Sequence, residues 1–211
     1  MKVNEIFYSI QGESTYQGRP CAFVRLTGCN LRCHYCDTAY AYEEGEELTV
    51  EDVLRRLATY PCRLVEITGG EPLLQEDVYP LMERLLAEGY EVLLETNGSL
   101  RAVRVPEGVV RIMDLKCPDS GESESIYWPN LGELRSTDQI KFVVSSRRDY
   151  DWTKDVLTHH RLSDRATVLI SPVSGQVAVE DVAEWILGDG LGVRLQLQLH
   201  KCIWPPERRG V

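Results

Sequence analysis

Three cysteines stand together in Cys29-Asn30-Leu31-Arg32-Cys33-His34-Tyr35-Cys36, a C-x-x-x-C-x-x-C spacing. Thiolates on one short loop can converge on a soft-metal centre. Structural zinc normally takes four protein ligands, and an electron-transfer iron–sulfur cluster takes four cysteines. No fourth cysteine is near: Cys21 precedes the adjoining strand and Cys62 follows a helix. His34 lies inside the short C-x-x-C, where reaching the same metal is awkward. The set therefore suggests a cluster with one iron open to another molecule. A zinc knob completed by a distant Cys or His is the competing reading. Cys21, Cys62, Cys117 and Cys202 are expected to be packing thiols.

Two further features could do chemistry. Arg25 interrupts the apolar run Ala22-Phe23-Val24-Arg25-Leu26, and a core position should not hold an unpaired charge. Its guanidinium suits a substrate carboxylate, with an internal salt bridge as the alternative. Thr68-Gly69-Gly70-Glu71-Pro72 follows a strand; its glycines would let backbone approach a ligand, and Glu71 supplies an anion for an ammonium. Gly188-Asp189-Gly190-Leu191-Gly192 looks like a phosphate loop but runs from helix to strand, the wrong direction for one, so it is expected to be a connector.

The elements that must carry these residues alternate. Strands are expected at Val3 to Tyr8, Ala22 to Thr27, Leu64 to Thr68, Glu91 to Thr96, Val109 to Lys116, Gln139 to Val144, Thr167 to Ser171 and Val193 to His200. Helices are expected after the Thr49 cap, over Asp77 to Glu88, weakly over Asp149 to His160, and over Val179 to Leu187. Strands alternating with helices give a parallel α/β sheet. With about six repeats in place of the eight of a complete barrel, a partial, shortened (β/α) barrel fits best. Thr68, Glu95, Asn97, Asp114, Lys116 and Ser171 fall at strand C-terminal ends, the edge where such folds build active sites. The last strand alternates Arg194, Gln196, Gln198 and His200 with Val193, Leu195, Leu197 and Leu199, as a half-solvated edge strand would. On that pattern His200 is expected to be structural, with a reach to the substrate end as the alternative.

Composition narrows the class. The 211 residues are 43% apolar and 27% charged, with a net charge of −10. Neither general nucleic-acid binding nor attachment to an anionic membrane suits so acidic a chain. No apolar run is long enough to span a bilayer, and the first residues lack the apolar region of a signal peptide. The expected setting is cytoplasmic, with its seven cysteines reduced. Residues 1–211 are expected to form a single domain, with Glu43-Glu44-Gly45-Glu46-Glu47 as a solvated loop.

The segment from Leu26 to Thr38 resembles the cluster loop of radical S-adenosylmethionine (SAM) enzymes, and Gly69-Gly70-Glu71-Pro72 resembles their motif for the methionyl amine. The stretch Glu5-Ile6-Phe7-Tyr8-Ser9-Ile10-Gln11-Gly12-Glu13-Ser14, with Gly18-Arg19-Pro20 and Gln198-Leu199-His200-Lys201, is similar to the 7-carboxy-7-deazaguanine synthases. The resemblance implies a radical SAM core domain and a lyase of queuosine-type biosynthesis. That lyase turns 6-carboxy-5,6,7,8-tetrahydropterin into 7-carboxy-7-deazaguanine and ammonia. It implies a 4Fe-4S cluster on Cys29, Cys33 and Cys36, Mg²⁺ on Thr38, a homodimer, and an external electron donor such as a flavodoxin or ferredoxin. SAM contacts would come from Tyr35, Cys36, Asp37, Gly70, Glu71, Asp114, Leu115, Lys116, Ser171, Pro172, Val173 and Ser174. Substrate contacts would come from Ile10, Gln11, Gly12, Glu13, Arg25, Thr68 and Pro206, with Arg25, Glu13 and Thr68 in the catalytic roles. A glycyl-radical-enzyme activase and a noncatalytic iron–sulfur or zinc module are the alternative readings.

Overall fold

Side chains alternate across a strand, so each strand of this chain can carry two different surfaces. In the computed structural model, which describes every residue except Pro206 and Glu207, both surfaces are used. The expected substrate contact at Pro206 lies outside the described residues. The strands are β1 (Lys2–Ile10), β2 (Pro20–Leu26), β3 (Glu46–Glu47), β4 (Leu64–Gly69), β5 (Glu91–Thr96), β6 (Val110–Asp114), β7 (Gln139–Val144), β8 (Thr167–Pro172) and β9 (Arg194–Leu195). The helices are α1 (Val50–Leu57), α2 (Val78–Ala87), α3 (Arg147–His160), α4 (Val179–Asp189) and α5 (Leu199–Ile203).

One sheet takes the order β3-β1-β2-β4-β5-β6-β7-β8-β9. β1 is antiparallel to β2 and β3, and every pair from β2 to β9 is parallel. Among the described residues the two ends of the sheet do not pair, so the partial barrel is open. The expected charged loop at 43–47 lends Glu46 and Glu47 to the edge strand β3.

One face of the sheet packs against helices. Val24, Ile67, Leu94, Ile140 and Ile170 join Leu57, Leu81, Leu85, Leu157 and Ile186 in the main core. Each such side chain contributes roughly 1.5–3 kcal/mol by burial. On the other face a smaller cluster of Phe7, Cys21, Phe23, Leu64, Leu93 and Ile112 plugs the bottom, and the Phe7 and Phe23 rings stack at 4.8 Å. Two residues further along these strands the same face carries Arg25, Glu66, Glu95 and Asp114. An apolar plug with a charged layer above it is what alternation produces when both faces are enclosed.

Local signals explain the helix starts. Thr49 and Asp52 form a reciprocal capping box at α1. α3 begins at Arg147, earlier than its apolar spacing suggests, because the Ser146 hydroxyl accepts from the Asp149 amide at 3.3 Å. The Gly188 to Gly192 segment connects α4 to β9, with Gly190 as a left-handed cap.

The last expected strand is the clearest departure. Only Arg194 and Leu195 pair with β8, and the Gln196 amide then donates to the Ile170 carbonyl at 2.8 Å. The chain turns into α5, and the Leu199 amide donates to the Gly12 carbonyl at 2.9 Å. Gln196 is buried while Leu195 and Leu197 face solvent, the reverse of the expected alternation. The loop after β1 provides better partners than a longer ladder, so tertiary contacts override the pattern.

Candidate active site

The segment between β2 and residues 39–42 has no regular structure, and three separate parts of the chain hold it. At its start, the Gly70 amide donates to the Leu26 carbonyl at 3.1 Å and the Glu71 amide to the Gly28 carbonyl at 2.7 Å. A Cβ on Gly69 would lie 2.2 Å from the Leu26 carbonyl oxygen, and one on Gly70 would lie 2.0 Å from that of Gly28. These glycines serve the chain's own backbone approach first. In the middle, the His34 amide donates to the Ser120 carbonyl at 2.9 Å, and His34 Nδ1 lies 3.1 Å from the Asp119 carbonyl oxygen. Towards the end, the Tyr35 hydroxyl donates to the Val143 carbonyl at 3.0 Å.

This bracing brings Cys29, Cys33 and Cys36 to one cavity as free, half-buried thiols. Burial pushes the Cys29 thiol up, and raises Cys33 to about 11. The Cys29 sulfur accepts from the Leu31 amide at 3.4 Å and from Asn97 Nδ2 at 3.8 Å. Among the described residues no three His, Cys, Asp or Glu side chains gather tightly enough to enclose a single metal ion. The thiols instead stand around a rim, where they could take three corners of a polynuclear cluster. The remaining cysteines are elsewhere: Cys21 and Cys117 are buried, Cys62 is half-buried, and Cys202 is exposed and therefore not the expected packing thiol.

Below the rim, the inner face of β2, β4, β5, β6 and β7 forms a polar floor. Lys141 Nζ lies 2.6 Å from Glu13 and 3.6 Å from Asp114, and also pairs with Glu95. Burial alone would drive this ammonium to lose its proton, but Glu13, Glu95 and Asp114 hold it charged. Burial likewise raises Glu13, yet Lys141, His200 and a 2.9 Å bond from Gln198 outweigh it and bring the carboxyl down to about 2. Lys116 Nζ pairs with Asp114 at 2.9 Å, while Asp114 Oδ1 is buried without a partner. Gln11 Nε2 donates to Glu66, and Thr68 Oγ1 to Glu95 at 3.4 Å. Lys141 and Glu66 were missed by sequence reasoning, although each interrupts an apolar strand just as Arg25 does.

Arg25 lines the cavity, and its Nε donates to Glu5 Oε1 at 2.7 Å. The Tyr40 hydroxyl donates to the same oxygen at 3.0 Å. The internal salt bridge is thus present, and it engages the Nε edge of the guanidinium. Ile10, Gln11, Gly12, Glu13 and Thr68 line the cavity, as do Tyr35, Asp37, Thr38, Gly70, Asp114, Lys116 and Val173. So does His200, which favours the alternative of a reach to the substrate end over a purely structural role. A Cβ on Gly12 would lie 2.2 Å from its Nδ1, so the glycine makes room for the imidazole.

Four expected SAM contacts do not reach this cavity. Leu115 and Ser171 are fully buried; Leu115 belongs to the main core, and its amide donates to the Lys141 carbonyl at 2.9 Å. Pro172 and Ser174 border a separate depression with Val179 and Leu197. Glu71 likewise does not line the cavity. It has no exposed surface, and its carboxylate accepts from the Leu73 amide at 2.9 Å, the Asn97 amide at 2.7 Å and the Thr96 hydroxyl at 2.9 Å. Burial raises it to about 7 despite those donors. It braces the glycine turn against β5.

The sequence profile of the Radical SAM superfamily matches residues 23–117, which hold the cysteine loop and the glycine turn. A 7-carboxy-7-deazaguanine synthase of Koribacter versatilis is 46% identical, covering 100% of this chain and 100% of that protein. One of Chlorobaculum tepidum is 44% identical, covering 100% of this chain and 97% of that protein. The crystal structure of QueE from Escherichia coli superposes with a TM-score of 0.78 at 25% identity, covering 94% of each chain. Full-length identity at this level, joined to a cavity that unites the cysteine loop with the motifs of both flanks, establishes the relationship: the chain belongs to the 7-carboxy-7-deazaguanine synthase family of radical SAM enzymes.

Proposed function

We propose that this chain is a lyase that converts 6-carboxy-5,6,7,8-tetrahydropterin to 7-carboxy-7-deazaguanine with release of ammonia. The observation that carries this reading is a single cavity whose rim bears Cys29, Cys33 and Cys36 and whose floor bears Gln11, Glu13, Arg25 and Thr68. Such a pairing suits radical generation beside a polar, carboxylated heterocycle. Residues 1–211 act as one radical SAM core domain.

The three thiols fit a 4Fe-4S cluster with one open iron, since no fourth cysteine borders the cavity. Bound there, the cluster and SAM supply a carbon radical that can take a hydrogen atom from the substrate. The chain's own residues do the positioning. Tyr35, Asp37, Gly70, Asp114, Lys116 and Val173 face the SAM side, and the unpartnered Asp114 Oδ1 offers an acceptor there. Arg25 presents the outer edge of its guanidinium to the substrate carboxylate. Gln11 and Glu13 present oxygens to the guanidine-like edge of the pterin.

Thr38 is the protein ligand for Mg²⁺ in this reading. Its hydroxyl donates to Asp37 Oδ1 at 2.9 Å, leaving oxygen lone pairs for a hard cation that keeps waters and takes substrate oxygens. A flavodoxin- or ferredoxin-type donor supplies the electron, and the enzyme works as a cytoplasmic homodimer. No helix among the described residues is long and apolar enough to cross a membrane.

The test is anaerobic incubation of reconstituted, reduced protein with SAM and pterin deuterated at C6, followed by mass analysis. Deuterium should appear in 5′-deoxyadenosine and SAM, and the deazapurine and ammonia should form in equal amounts. Activity should fall on chelation and return with Mg²⁺. SAM cleavage without label transfer or deazapurine would reject this function in favour of an activase. Absence of SAM cleavage would favour a noncatalytic module.

A further inference from the structure

Among the described residues, one carboxyl group of the cavity floor is in no ion pair. Lys141 engages Glu13, Glu95 and Asp114, and Lys116 engages Asp114. Among the described residues, no lysine or arginine lies within ion-pair distance of Glu66, which is only 3% exposed. A buried, unpaired carboxylate costs several kcal/mol, so such a group keeps its proton.

The bonds around Gln11 fix which way its amide faces Glu66. The Glu13 amide can only donate, and it donates to Gln11 Oε1 at 2.5 Å. The Gln11 amide nitrogen is thereby turned towards Glu66, where it donates to Oε2. Oε2 thus accepts, and Glu66 also shares a side-chain hydrogen bond with Glu95, a contact between two carboxyl groups that needs a proton on one of them. The groups facing Glu66 are Glu13 from the loop after β1, Glu95 from β5, Lys141 from β7 and Cys21 from β2.

We propose that Glu66 is the general acid of the cavity, giving its proton to the amine nitrogen as the carbon–nitrogen bond breaks. This rests on the lyase reading above. The bond's electron pair goes to nitrogen, which leaves as ammonia with the Glu66 proton. The new five-membered ring then loses a proton from carbon as it becomes aromatic, and that proton restores Glu66. Substrate and product differ by one ammonia, so the step needs no oxidant or reductant.

Other cavity groups are poorly suited to this task. Lys141 is locked to carboxylates, and burial pushes His200 below the ordinary imidazole value. Burial, Glu95 and Glu13 all push Glu66 well above the ordinary carboxylate range. Burial and its carboxylate neighbours thus favour the proton-carrying form of Glu66.

Glu66→Gln keeps the shape and removes the acid. In protein without cofactor at pH 7, the infrared difference between wild type and this variant should contain the carbonyl stretch of a neutral carboxylic acid. With cluster, SAM and C6-deuterated substrate, label transfer should stay within about threefold while ammonia and deazapurine formation fall ~10²–10⁴-fold. Glu66→Asp should recover part of that loss. A missing carboxylic-acid band overturns the proposal, as does ammonia release by Glu66→Gln at the wild-type rate. Equal loss of label transfer and product in both variants would assign Glu66 a packing role and also overturn it. Wild-type protein that transfers label but makes no deazapurine would defeat the lyase reading itself.

Discussion

On the rim, Cys29, Cys33 and Cys36 come from eight consecutive residues with no helix or strand among them; on the floor, Glu66, Glu95, Asp114 and Lys141 come from four adjacent strands. The rim is half-exposed and held by backbone bonds to Gly70, Glu71 and Ser120. The floor is buried and held by charge, with one ammonium serving three carboxylates. Chemistry on the rim should therefore be separable from folding, whereas the charges on the floor belong to both.

The sharpest separation should come from the rim. Replacing Cys29, Cys33 or Cys36 by Ser should abolish SAM cleavage and lower bound iron from about four per chain, while Cys62→Ser leaves both intact. Because these loop positions lie outside the core, unfolding of the cofactor-free variants should move by less than ~0.5 kcal/mol. A large loss of stability in these variants would break the contrast.

On the floor the expected result is inverted. Lys141→Met leaves Glu13, Glu95 and Asp114 facing one another, and should cost ~3–5 kcal/mol in urea unfolding of the cofactor-free protein. If that variant unfolds like wild type, the floor is not held by charge.

Acid sharpens the same point with a smaller effect. Glu13 has a folded value of about 2 against an ordinary 4.5, so the unfolded chain takes up this proton first as pH falls. The stability that Glu13 contributes is complete above the unfolded value and is lost as pH drops through 4.5 towards 2. The shift is worth about 3 kcal/mol across that window. Urea unfolding at a series of pH values should show this acid limb in wild type and a shallower one in Glu13→Gln. Identical limbs would mean that Glu13 is not held as an ion.

The same contrast governs what could be read without coordinates. β5 and β7 span the residues their composition suggests, and the cluster loop declares itself because its ligands are neighbours in sequence. The floor did not, since Glu66 and Lys141 are 75 positions apart and meet only when β4, β5, β6 and β7 line up. Each is a charge in an apolar strand, the signal that singled out Arg25. The end of the chain misled because its alternation is real in sequence but unused: Gln196 turns inward, Leu195 and Leu197 outward, and α5 carries His200 to the cavity. Glu71 shows another limit: a motif marks where a residue belongs but not which way its carboxylate points, here towards Thr96 and the Asn97 amide.

The loop that carries the cysteines is shaped by its neighbours before any iron arrives. Gly28, His34 and Tyr35 each tie it to a different part of the sheet or its connections. Ordering a free backbone costs about 1–2 kcal/mol per residue, and here folding has already met that cost. Small zinc domains are the opposite case, where metal binding and folding are one event. Oxygen that destroys the cluster would thus strip away inorganic atoms and leave the mould standing. A loop so braced would be expected to keep its shape through such a loss, and repair would then depend on iron and sulfide supply and not on making a new chain.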